Sequence, residues 1–232
     1  MLSVIPNPPR IALPIVGSDD LFPVRRVYCV GRNYAAHARE MGKDPDREPP
    51  FFFMKPADTL QVVAGTEAVD HPYPPRTENY HFEVEMVAAL ALGGRDIPET
   101  DALGHVYGYA VGLDMTRRDR QDEAKRQARP WDLGKASDLS APVSPLRPAG
   151  TIGHPRAGAI TLAVDGAERQ RGDLSEMIWS VPEQIALLST YFELHPGDLI
   201  FTGTPSGVGP VLRGQTMTAR VEGVGALSLL VV

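Results

Sequence analysis

The chain of 232 residues is 43% hydrophobic and 22% charged, the composition of a globular protein long enough to bury a large core. Its net charge of −6 excludes a general nucleic-acid binder, which needs clustered basic charge, but not a small anionic substrate held by a few local cations. The single cysteine, Cys29, excludes an internal disulfide and fits a reducing cytoplasm, the expected location.

The N-terminal stretch MLSVIPNPPRIALPIVG is proline-rich and lacks a basic n-region, so it does not read as a signal peptide. No apolar run approaches the roughly 20 residues that cross a membrane, and no membrane partner is expected. Glycine and proline, 22 each, are spread along the whole chain, which suits many short strands with tight connections. With no repeat or internal boundary, residues 1–20 read as an irregular arm and residues 21–232 as one domain.

Residues 26–30 read as a strand that stops at Gly31, with Cys29 as a small core residue. Asn33 can cap a short helix that Gly42 ends. On that helix His37 and Glu40 are three residues apart and therefore neighbours. A carboxylate beside an imidazole orients the ring and raises its basicity, which makes a candidate general base; a surface ion pair is the plainer reading. Residues 43–50 are polar and proline-rich and read as a mobile connection. The run Phe51-Phe52-Phe53-Met54 is apolar enough for a buried strand, and it delivers Lys55 either into a pocket or to solvent.

Residues 79–88 alternate as a strand does, with Phe82, Val84 and Met86 on one face and His81, Glu83 and Glu85 on the other. The strand runs on into a continuous apolar stretch, the pattern of a strand covered on both faces. Two carboxylates on one face of such a strand repel each other and are costly to desolvate, and a cation between them removes that cost. A solvated sheet edge is the alternative.

Residues 97–103 can form a short helix, and residues 105–113 read as a strand whose glycines mark close backbone approach and which ends at Asp114. Thr116 with Asp119 resembles a capping box that opens a charged helix carrying Arg118, Gln121 and Lys125 on one face. Lys135 follows Trp131 in a segment of low charge. Residues 141–146 read as a strand, and residues 161–166 as half a hairpin. Ser180, Pro182 and Glu183 start a core-packing helix. A buried strand at residues 199–201 opens into the glycine- and hydroxyl-rich loop Thr202-Gly203-Thr204-Pro205-Ser206-Gly207, which offers backbone amides to an anion. A hairpin of residues 216–222 and 225–231 closes the chain.

Collected, Glu83, Glu85 and Asp114 are three oxygen donors without histidine or thiolate partners. Such a set selects a hard divalent ion, Mg²⁺ first, with Mn²⁺ or Ca²⁺ as alternatives. His81 is left out of that set and read as packing or as a hydrogen-bond partner behind it.

In these pieces the chain resembles the fumarylacetoacetate hydrolase family. They are Gly31-Arg32-Asn33-Tyr34 with His37 and Glu40; Phe53-Met54-Lys55-Pro56; His81 through Glu85; Gly108-Tyr109 through Asp114; Thr116 to Gln121; Trp131 to Lys135; and Thr202-Gly203-Thr204-Pro205. The resemblance implies an α+β, β-rich fold, a mixed β-sandwich roll with a few short helices, in a single catalytic domain that forms a homodimer. It implies a metal held through Glu83, Glu85 and Asp114, and His37 with Glu40 on a lid that activates water. Arg118, Gln121 and Lys135 would stabilise developing negative charge, and Thr204 would contact the substrate. The expected reaction is hydrolysis of the C–C bond of an acylpyruvate, 3-fumarylpyruvate above all, in gentisate-type aromatic breakdown. A general acylpyruvase, an oxaloacetate decarboxylase or a 2-keto acid hydratase or isomerase would use nearly the same residues, and a metal-stabilised ligand-binding protein would not need the His37–Glu40 pair. Arg32, Lys55 and Arg39 are the candidates for a second substrate carboxylate.

Overall fold

In a computed structural model, residues 4–6, 10–40, 49–65 and 67–232 are described, except for the side chains of Ala38 and Arg39. The polar connection and Gly42 therefore lie largely outside the described residues, as does the side chain of Arg39 as a substrate ligand.

The strands sort into a large mixed sheet and a smaller one stacked on it. The eight-stranded sheet runs in the order Phe51–Lys55, Val27–Gly31, Leu199–Phe201, Val84–Leu90, Val106–Leu113, Ala141–Val143 and Leu60–Val62, with Arg147–Pro148 also pairing with Val106–Leu113. The five-stranded sheet runs Ala167–Asp173, Ala159–Val164, Thr216–Val221, Gly225–Val231 and Val69–His71. This is the β-rich roll with few short helices that the resemblance implies.

Strand Val84–Leu90 explains the layering. All seven residues are buried, as its continuous apolar run requires. Val84, Met86, Ala88 and Leu90 pack in one core with Ile160, Leu162, Met217 and Leu229 of the five-stranded sheet. Val87 and Ala89 face a second core inside the curl of the large sheet, with Val27, Cys29, Leu199 and Phe201. Glycine lets these layers close: a Cβ on Gly112 would stand 2.6 Å from both Phe201 and Val87.

Three expectations change here. The expected strand from Asn79 onward is two strands: Tyr80–Phe82 joins a small sheet with Thr116–Arg117 and Gly209–Pro210, and the chain crosses into the large sheet at Glu83. The expected irregular arm is in part ordered, because Ala12–Pro14 pairs with Leu21–Pro23 and Leu13 and Ile15 fill the second core. The run Phe51–Lys55 is an edge strand rather than a buried one, its phenylalanines half-buried and Met54 exposed. The Ser180 capping box, the Asp165–Gly166 hairpin and the closing hairpin form as their sequences predict.

Candidate metal and catalytic site

Glu83 sits at the crossing between sheets, Glu85 two residues further on, and Asp114 at the end of the neighbouring antiparallel strand Val106–Leu113, where its N–H donates to Glu83 O at 2.9 Å. Pairing in register therefore brings the three carboxylates together, with one oxygen of each within 4.8 Å of the others, all buried. Behind them the charges are partly met. Lys135 Nζ donates to Glu83 Oε2 at 2.8 Å, Asp114 Oδ2 at 2.6 Å and Thr116 Oγ1 at 2.7 Å. Arg118 pairs with Glu83 Oε1 and donates to Gln121 Oε1 at 2.6 Å.

Glu85 is different. Among the described residues it accepts one hydrogen bond, from Gly203 N–H at 2.7 Å, and none of their lysines or arginines ion-pairs with it. Burial, then the charges of Asp114 and Glu83, push its carboxyl well above the usual carboxylate range. Asp114 Oδ1 stands 3.0 Å from Lys55 Nζ without hydrogen-bond geometry, so it too is left an incomplete acceptor. An oxygen-only donor set with one carboxylate lacking a cation and another oxygen unsatisfied fits a hard divalent ion.

On the opposite wall, the helix Ala35–Glu40 carries His37, whose Nδ1 lies 3.2 Å from Glu40 Oε2. Gly207 N–H donates to the same carboxylate at 3.2 Å, so the glycine loop clasps the helix. With Nδ1–H directed to Glu40, the basic lone pair is on Nε2. His37, Glu83, Glu85, Asp114, Arg118, Gln121, Lys135 and Thr204 line one cleft. Its mouth is an aromatic wall: Phe51 and Trp131 meet edge-on at 5.3 Å, Arg32 lies over Phe51 at 5.1 Å, and Lys125 over Trp131 at 5.2 Å.

The profile of the family described as fumarylacetoacetate hydrolase, C-terminal, matches residues 26–232. The chain belongs to that family. Fumarylpyruvate hydrolase from Pseudomonas aeruginosa, solved in complex with Mn²⁺ and pyruvate, is 57% identical, with a TM-score of 0.98 over 100% of this chain and 99% of that one. A fumarylpyruvate hydrolase from a Ralstonia species is 45% identical over 82% of this chain and 98% of its own length. A mitochondrial oxaloacetate tautomerase from Arabidopsis thaliana is 41% identical over 86% of this chain and 87% of its own.

Most of the residues expected from resemblance to the fumarylacetoacetate hydrolase family meet in this cleft; Glu40 reaches it only through His37, and Lys55 does not enter it. It is almost fully buried and donates to Met115 O at 3.1 Å, Ser140 O at 3.1 Å, Ser140 Oγ at 3.0 Å and Lys135 O. A lysine so committed buttresses Asp114 and has no donor left for substrate, which corrects its expected role. Asn33 does not cap the helix either. Its amide accepts from Trp179 N–H at 2.8 Å and donates to Thr202 O at 2.7 Å, so it ties the start of the Ala35–Glu40 helix to the glycine loop. Thr116 caps nothing: it pairs in a strand and takes Lys135, while Asp119 accepts from Thr77 Oγ1 at 2.6 Å. His81 lies behind the site as expected, donating through Nε2 to Asn79 Oδ1 at 2.8 Å and accepting from Arg118 at Nδ1; burial, then Arg118, push its ring down to about 4.

No local signal singles out Thr116 and Ser140, which meet Lys135 and Lys55, Gln170, which donates to Thr204 Oγ1 at 2.8 Å, or the aromatic wall. Only Trp131 and the Phe51–Phe53 run gave a signal, as large apolar residues near the expected Lys135 and Lys55.

Proposed function

We propose that this protein is a divalent-metal-dependent hydrolase that cleaves the C–C bond of an acylpyruvate, with 3-fumarylpyruvate as substrate and fumarate and pyruvate as products. The observation that carries the reading is the position of the His37–Glu40 pair across one cleft from Glu83, Glu85 and Asp114. Its likeness over nearly its whole length to fumarylpyruvate hydrolases supports the substrate.

Glu83, Glu85 and Asp114 would hold the metal, Mg²⁺ or Mn²⁺. Bound there, it would supply Lewis acidity toward the keto-enol oxygens of the substrate. The remaining roles belong to the chain. His37 Nε2 takes a proton from water, and Glu40 steadies the imidazolium that results. The hydroxide adds to the carbonyl remote from the pyruvyl end. The bond to the methylene carbon then breaks, its electron pair passing into the enolate of pyruvate, and the proton held by His37 goes to that carbon to form the methyl group. Arg118 and Lys135 set positive charge where the enolate develops, and Thr204 and Gln121 orient the substrate.

Arg32 serves the second carboxylate. Of the three cations expected for this role, Lys55 is committed elsewhere, and Arg32 lines the mouth of the cleft beside Lys125. Burial, then Arg118 and further cations including Arg32, hold the Lys125 ammonium below its usual range, the effect of a mouth rich in positive charge.

The test is steady-state turnover of fumarylpyruvate, acetylpyruvate and oxaloacetate, followed by loss of enol absorbance with and without chelator. Fumarylpyruvate is expected to give the highest kcat/KM, activity to vanish with chelator and to return with Mg²⁺ or Mn²⁺. A clear preference for oxaloacetate would favour the second reading, an oxaloacetate-converting enzyme, which the 41% identity to a tautomerase supports.

A further inference from the structure

Gln170 sits in strand Ala167–Asp173 between two exposed arginines, Arg169 and Arg171, yet it is completely buried. Its side chain bridges the two halves of the site. Val84 N–H, between Glu83 and Glu85, donates to Gln170 Oε1 at 3.0 Å. Gln170 Nε2 donates to Pro205 O at 2.9 Å and to Thr204 Oγ1 at 2.8 Å.

Two of these partners cannot change role. A backbone N–H only donates and a carbonyl only accepts, so the amide has one orientation: reversing it would set N–H against N–H at Val84 and oxygen against oxygen at Pro205. Nε2 must therefore donate to Thr204, and the Thr204 hydroxyl must accept there. Its own hydrogen is left over, and among the described residues it has no acceptor. Thr204 lines the cleft and is nearly buried.

We infer that Gln170 is a positioning residue that takes one lone pair of the Thr204 hydroxyl and so turns its hydrogen into the cleft, toward an anionic or carbonyl oxygen of the substrate. The inference rests on the proposed contact between Thr204 and substrate. It assigns the hydroxyl its polarity, and it ties that polarity to the backbone between two of the carboxylates.

A double-mutant cycle tests it, with folding checked by circular dichroism and thermal melting. Thr204→Val in the natural background is expected to raise KM about tenfold, the loss of one charge-assisted hydrogen bond. Gln170→Met, which keeps the volume and frees the hydroxyl to turn, is expected to raise KM by a similar factor with kcat little changed. In the Gln170→Met background, Thr204→Val should add less than about twofold. If Thr204→Val costs as much in that background as alone, Gln170 is merely structural and the inference is overturned. If Thr204→Val has no effect in the natural background, the substrate contact fails, and the inference with it. Should Gln170→Met not fold, Gln170→Glu at alkaline pH replaces it: it keeps the acceptor for Val84 but presents no donor to Thr204, and the same loss of coupling is expected.

Discussion

Lys55 Nζ and Asp114 Oδ1 stand 3.0 Å apart with both side chains buried, the lysine reaching Asp114 from behind the cleft rather than through it. Removing one partner of a buried pair leaves the other charge uncompensated, at a cost of about 3–5 kcal/mol. Lys55→Met is therefore expected to lower stability by about that much in urea denaturation, and to weaken metal binding through a displaced Asp114. A variant of normal stability with a raised KM would instead make Lys55 a substrate ligand.

His37→Ala removes the basic atom while leaving the carboxylates in place. Turnover is expected to fall by about 10²–10⁴-fold, the usual share of general-base catalysis. Mg²⁺ or Mn²⁺ binding, read by calorimetry, should be retained. Unchanged hydrolysis would refute the base assignment.

Glu85→Gln keeps shape and still offers an oxygen to Gly203 N–H. Because burial and two neighbouring carboxylates disfavour the Glu85 charge, the metal-free variant is expected to melt no lower than the natural protein. Its affinity for the metal should drop at least about tenfold, since a charged ligand has become a neutral one. A large loss of metal-free stability would contradict this reading.

Arg32→Met is expected to raise KM for a substrate with a second carboxylate by about tenfold or more, the worth of a hydrogen bond to a charged group. Acetylpyruvate, which has no second carboxylate, should be affected less than about twofold. Equal effects on both would remove Arg32 from that role.

His71 provides a pH prediction away from the site. Its Nδ1–H donates to Gln61 Oε1 at 2.6 Å, and Nε2 accepts from Tyr80 O–H at 2.9 Å. Burial pushes the ring down to about 4 from its ordinary 6.5. The unfolded chain therefore binds a proton that the folded chain refuses. The stability this ring confers is complete above about pH 6.5 and is lost as pH falls through about 4, a difference of up to about 3 kcal/mol. Urea denaturation at neutral and acid pH should reveal that slope, and His71→Gln should flatten it; an unchanged slope would place the acid sensitivity elsewhere.

Much of this was legible locally. The i, i+3 spacing put His37 beside Glu40, the apolar run from Val84 predicted a strand covered on both faces, and Ser180 with Glu183 formed the expected capping box. Local chemistry misled where a side chain had a stronger distant partner. Asn33 is a good cap by type but ties the His37 helix to the glycine loop, and Thr116 answers Lys135 rather than the helix it precedes.

The sequence by itself determined which residues are candidates for the chemistry: the Glu83–Glu85 alternation, Asp114 at a strand end, and a histidine with its carboxylate. Periodicity encodes the face of an element and residue type encodes chemistry, so both can be read along the chain. The tertiary structure alone decided how the charges are shared out. Lys135 and Arg118 meet Glu83, Lys55 backs Asp114, Gln170 donates to Thr204, and Glu85 is met, among the described residues, by one backbone amide. These partners come from strands and loops far apart in the chain, and only sheet register and the stacking of two sheets bring them within hydrogen-bond reach.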